Sequence, residues 1–195
     1  MRSNVCKLTK SMEDFSVIPE EAEKTAIYNN LNEKQATRLR LLTEELICML
    51  PELLEFGAGE FWIENEGTKY ELHVALKVEN YFNIDRDKVL SVSKSGKNAA
   101  ATGVKNKIRI AMELMMIGYA EASMYEGVDF YQMGMMNEYM NYNNAWSLNQ
   151  YKNETEDKKS WDELEKSIIA KLADDVVVGI IGNNVDIVVT KDFAE

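Results

Sequence analysis

LNEKQATRLRLLTEELICMLPELLEF, residues 31–56, carries the longest helical pattern in the chain. Leu39, Leu42, Leu46, Met49, Leu50 and Leu53 recur at steps of three, four and one, which sets them on one side of a helix. Asn32 is the natural N-cap, and Gln35 three residues on completes a box-like arrangement. Pro51 lies inside the pattern and is expected to kink or end the helix near Leu50, with a last turn running to Phe56. Beside the apolar stripe stand Glu44 and Glu45. A carboxylate at the margin of a helix that packs on a sheet can point into a pocket. As solvated helix formers, the same two residues need no further role.

Upstream, the residues to about Ile18 suit a short strand or arm, and Pro19 followed by EEAEKTAIYNN opens a first helix that Asn29 and Asn30 close. Downstream, Gly57 and Gly59 are expected to break the long helix. GEFWIENE and TKYELHVALKVEN then read as two strands around a turn at Glu66-Gly67. In the second, Tyr70, Leu72, Val74, Leu76 and Val78 alternate with Glu71, His73, Ala75 and Lys77, the pattern of a half-buried strand. Val104 to Tyr125 is helical, with Ile108, Met112, Met115, Met116 and Tyr119 towards the core. Residues 127–159, rich in Met, Tyr and Asn, read as an insertion. Trp161 to Leu172 suits a helix capped by Ser160, and Val176 to Thr190 a second hairpin around Gly182-Asn183-Asn184. Together these elements predict one α+β domain over residues 1–195, a two-layer sandwich with a mixed sheet of about four or more strands and helices on one face.

The 195 residues, 46% hydrophobic and 28% charged, belong to an ordinary globular chain. A net charge of −11 argues against nucleic acid or an anionic membrane surface as partner. No run is apolar enough for a signal peptide or a membrane span, and the two cysteines, Cys6 and Cys48, suggest reduced thiols, so a cytoplasmic protein is expected. His73 is the only histidine, which leaves no set of zinc ligands. Between Asn80 and Gly103 the chain is polar. Ser93 to Asn98, followed by Gly103 before a helix, could surround a phosphate with backbone N–H groups and a lysine, or be a solvated loop.

The order of elements resembles the ATP-binding domain of the GHKL (Bergerat-fold) histidine-kinase-like ATPases. It is closest in look to the anti-sigma-factor serine kinases, over about Pro19 to Phe193 outside the insertion. LRLLTEELICML is similar to that family's acid-bearing helix, and Glu45 matches the glutamate that acts as general base. The resemblance implies Glu79 or Asp85 as stand-in for the adenine-reading aspartate. It implies Ser95, Gly96, Lys97, Asn98 and Gly103 as a reduced phosphate loop. ATP is the cofactor it suggests. Magnesium is doubtful, because Met49 replaces the expected asparagine and cannot ligate a hard cation.

Two functions stay open on this reading. One is an ATP-binding regulatory protein, an ATPase or anti-sigma-like serine kinase with Glu45 as base. The other is a non-catalytic relative that acts through a protein partner, with the Met- and Tyr-rich insertion as its surface.

Overall fold

Two hairpins build the sheet. The computed structural model describes residues 1–9, 17–78, 103–123, 145–154 and 167–194. Within them β2 (Phe56–Glu66) turns into β3 (Lys69–Val78), and β5 (Asp175–Ile181) into β6 (Asn184–Asp192). Gly67 and Gly182 sit at the corners with φ of 58° and 55°, a left-handed conformation that a Cβ disfavours. β1 (Cys6–Thr9) lines β2, and β4 (Trp146–Ser147) lines β5, giving the order β1-β2-β3-β6-β5-β4.

The expected α+β architecture is present, but the sheet is not mixed. All six described strands pair antiparallel, because the hairpins meet through β3 and β6 rather than through a parallel crossover. Part of the stretch expected as an insertion belongs to this fold: β4 extends the sheet, and Leu148 of α4 (Leu148–Glu154) is fully buried.

Register turns alternation into layers. Ile63, Leu72, Val189 and Val176 stand opposite one another across four strands, as do Phe61, Val74, Ile187 and Val178, and all are buried. The helices cover this side: α1 (Val17–Tyr28), α2 (Glu33–Leu53), α3 (Gly103–Ser123), α4 and α5 (Ile168–Leu172) all contribute residues to one cluster with it. α2 lies centrally, with Leu39, Leu42, Leu46 and Leu50 excluded from solvent. Its capping box forms as the sequence suggests, Gln35 N–H donating to Asn32 Oδ1 at 3.0 Å and Asn32 N–H to Gln35 Oε1 at 3.1 Å. Gln35 Nε2 also donates to the Phe193 carbonyl, pinning the helix start to the end of β6.

Three local expectations change. α2 runs through Pro51 but stops at Leu53, short of the last turn to Phe56 that the sequence suggests; the ring falls in its final turn, where only one helical hydrogen bond is lost. Phe56 and Gly57 belong to β2, which starts three residues before the strand read from Gly59, and the register shifts between Phe56 and Ala58. Of the helix expected over Trp161 to Leu172, residues 161–166 lie outside the described residues, and α5 begins after Ser167.

Gly59 is required by close approach. A Cβ there would meet Leu76 Cδ2 at 2.5 Å and the Ala75 carbonyl oxygen at 2.8 Å, whereas one at Gly179 would meet nothing within 4 Å. Gly59→Ala is therefore expected to lower stability by about 1–3 kcal/mol, and Gly179→Ala to leave it nearly unchanged. Urea unfolding midpoints decide this, and equal midpoints for the two variants would refute the packing argument.

Candidate functional site

The acid helix comes first. Glu45 is half-buried on α2, and Ser167 Oγ, in the turn before α5, donates to its Oε1 at 3.4 Å. Its neighbour Glu44 is taken by Arg40 Nε at 2.8 Å, and Arg40 also bonds Glu23 of α1, so that Arg40 ties the two helices together. One turn beyond Glu45, Met49 is 5% exposed and packed in the core. That position offers no oxygen to a magnesium ion, and the ion does not fit there. Among the described residues no group of three or more His, Cys, Asp or Glu gathers as a metal site would need.

Gly103 opens α3, and Lys105 in its first turn pairs with Glu52, which brings the start of α3 beside the last turns of α2. Glu52 lies seven residues, about 10 Å of helix, beyond Glu45. Glu79, Asp85, Ser95, Gly96, Lys97 and Asn98 lie outside the described residues, as does most of the 127–159 segment. The structure thus unites Glu45 with Ser167 and brings Gly103 to the same helix.

A second arrangement occupies the face of the sheet opposite the helices. Alternation sends every other residue of each strand there, and register orders them in rows. The central row is Trp62, His73, Val188 and Val177, directly paired across four strands and each half-buried. Trp62 and His73 stack with centroids 5.0 Å apart and planes within 2°, and the Arg2 guanidinium lies 4.3 Å over the Trp62 ring. One flanking row holds Glu64, Glu71, Thr190 and Asp175; the other holds Lys7, Glu60, Ala75, Asp186 and Gly179. Among the described residues no helix packs on this face.

The charges of the two flanks differ in how they are satisfied. Glu64 accepts from Trp62 Nε1 at 2.8 Å and lies 3.7 Å from Arg2. Glu71 is bonded by Lys69 at 2.7 Å, which, with a smaller part from His73, holds its carboxyl below the usual range. Asp175 is used locally, accepting from Ser147 Oγ and from the N–H groups of Asn149 and Val176. His73 Nε2 is shut off from solvent, 3.4 Å from Glu71 Oε2 but without a hydrogen bond. On the other flank, Glu60 and Asp186 form no hydrogen bond or ion pair among the described residues. They border a depression of about 630 Å³ floored by Ala58, Gly59 and Ala75, with Lys7 and Lys77 at its rim. Burial pushes the Asp186 carboxyl above its usual pKa, and His73 offsets only part of that.

No family model, curated protein or solved structure matches this chain. The reading of Trp62, Val177, Val188 and Asp186 as neighbours was therefore available only from geometry. Each hairpin turn signals half of the row, Trp62 with His73 and Val188 with Val177; the contact between hairpins has no local signal.

A carboxyl whose pKa is raised in the folded state binds its proton more tightly there than in the unfolded chain. Asp186 thus adds stability below the unfolded pKa, about 4, and loses it as pH rises through the folded pKa. Asp186→Asn is expected to raise the Tm at pH 7, with the gap to the parent protein closing as pH falls below about 4. A lower Tm at pH 7 would mean that the carboxylate is stabilising.

Proposed function

We propose that this chain is a non-catalytic regulatory module that docks a protein partner on the open face of its sheet. The row Trp62–His73–Val188–Val177 carries the reading: apolar and aromatic side chains aligned on a face that no described helix covers. Such a stripe gains roughly 25 cal/mol for each Å² of apolar surface that a partner removes from water. Tryptophan in a central, rigidly held position is the type of side chain that dominates binding energy. Here the stack on His73 and the bond to Glu64 hold Trp62 in place before any partner arrives. Methionine at position 49 weighs on the same side, because where the resemblance puts a magnesium-holding asparagine it offers no side-chain oxygen for phosphoryl transfer.

A photo-crosslinking residue at position 188 should give a discrete adduct in cells, and one at position 34, on the outer surface of α2, should not. Trp62→Ala should abolish that adduct, the equivalent of at least about 2 kcal/mol of binding, while circular dichroism stays unchanged. An adduct at both positions, or one that survives Trp62→Ala, would sink the reading.

A second reading is ATP binding in the manner of the histidine-kinase-like ATPases, with Glu45 as general base and Ser95, Gly96, Lys97, Asn98 and Gly103 as phosphate loop. The Lys105–Glu52 pair favours it, since the start of α3 then lies on the helix that bears Glu45. It expects saturable calorimetric binding of ATP, weakened by Lys97→Ala. No heat at millimolar ATP or ADP, with or without magnesium, would end it.

A further inference from the structure

His73 stands at the middle of the outer face, paired in register with Trp62 on β2 and with Val188 on β6. A neutral imidazole is a flat, weakly polar plate, and here it lies on the Trp62 indole with the planes within 2°. That form suits an apolar row. Its Nε2 is shut off from solvent, 3.4 Å from Glu71 Oε2 and without a hydrogen bond, so a buried polar atom lacks the partner such atoms normally have.

A proton on the ring changes each of these contacts. Both ring nitrogens become donors, and Nε2–H can then donate to the Glu71 carboxylate beside it. Glu64, Glu60 and Asp186 stand diagonal to His73 on the two neighbouring strands, at the roughly 7–8 Å usual for such positions. The charge of His73 reaches the acids of its own strand and of β6, since it helps to draw down the carboxyls of both Glu71 and Asp186. Two cations complete the surroundings. Lys69 bonds Glu71, and Arg2 reaches the Trp62 indole from the opposite side of β2. A charged His73 would therefore leave that indole between two cations.

We infer that His73 is a proton switch at the centre of the docking row: neutral, it keeps the row apolar, and charged, it places a cation where a partner has to exclude water. This rests on the reading of the outer face as a docking surface and adds how that surface is regulated. Covering a charge costs far more than covering a stacked neutral ring, so acid releases what neutral pH allows to dock. Asp186, raised by burial, takes up its own proton before Glu71, which Lys69 holds down, and the imidazolium then loses one of its counter-charges. Histidine is the ordinary side chain that changes charge between about pH 5 and 8, and His73 is the only one in the chain.

The test follows the full chain by NMR from about pH 8 to about pH 5. The imidazole Cε1–H and the indole Nε1–H of Trp62, assigned through Trp62→Phe, are expected to move with one shared midpoint. In His73→Phe, which keeps a flat ring that cannot titrate, the indole signal should hold still over that range; His73→Gln serves if that variant does not fold. In cell extract the yield of the position-188 adduct should fall about tenfold or more between about pH 7.5 and about pH 5.5, and by less than about twofold in the His73 variant. An imidazole that titrates without the indole, an indole that still moves in the variant, or an equal fall of the adduct in the variant would overturn the inference. An adduct of unchanged yield refutes the switch and leaves docking intact, whereas no adduct at either pH sinks the docking reading and its regulation together.

Discussion

Where β3 and β6 pair, from Lys69 against Asp192 to Lys77 against Asn184, the two hairpins become one sheet and every strand acquires an inside and an outside. Leu72 meets Val189 and Val74 meets Ile187 on one side, while His73 meets Val188 on the other. A slip of one residue would turn that order over, placing His73 in the core and Leu72 in water. The cost of exposing several such side chains, about 2 kcal/mol for each, fixes the register firmly. Both the helix layer and the open face inherit their positions from this pairing.

On the inner side, α2 supplies the surface against which the sheet closes. Its ends are tied independently of its apolar face. Gln35 reaches the Phe193 carbonyl at one end, and Lys105 of α3 meets Glu52 at the other. α1 is joined to it through Glu23 and Arg40, and to the N-terminal arm through Glu21, whose buried carboxylate accepts from the Asn4 backbone and side chain. Such charge-assisted bonds satisfy an acid that burial would otherwise penalise. Glu45 sits within this framework as one more helix residue with a hydroxyl partner.

The outer side obeys different physics. Among the described residues no second layer buries the cross-strand neighbours there, and each is stabilised by its immediate contacts. Trp62 is held by Arg2, His73 and Glu64, and Glu71 by Lys69. Among the described residues Asp186 and Glu60 lack such contacts. The desolvation that raises the Asp186 pKa works against folding at neutral pH.

Much of the fold was legible in the residues themselves. The leucine steps of 39–53, the Asn32–Gln35 box, and the turns at Gly67 and Gly182 are local signals, set by helix geometry, orphan amide groups and the left-handed corner of a hairpin. Local rules misread Pro51, which lies late enough in its helix to be tolerated. They place Gly59 in a strand but do not show why it must be glycine, which Ala75 and Leu76 across the hairpin demand. For the candidate site, the sequence marked Glu45 and counted a single histidine. It placed Met49 on the apolar side of its helix, where it is buried, but had no means of showing that Trp62 stacks on His73 in line with Val188. Alternation along one strand says which residues share a face. Only the long-range pairing of β3 with β6 decides which of those faces meet, because that contact joins segments more than a hundred residues apart and leaves no periodic trace in either.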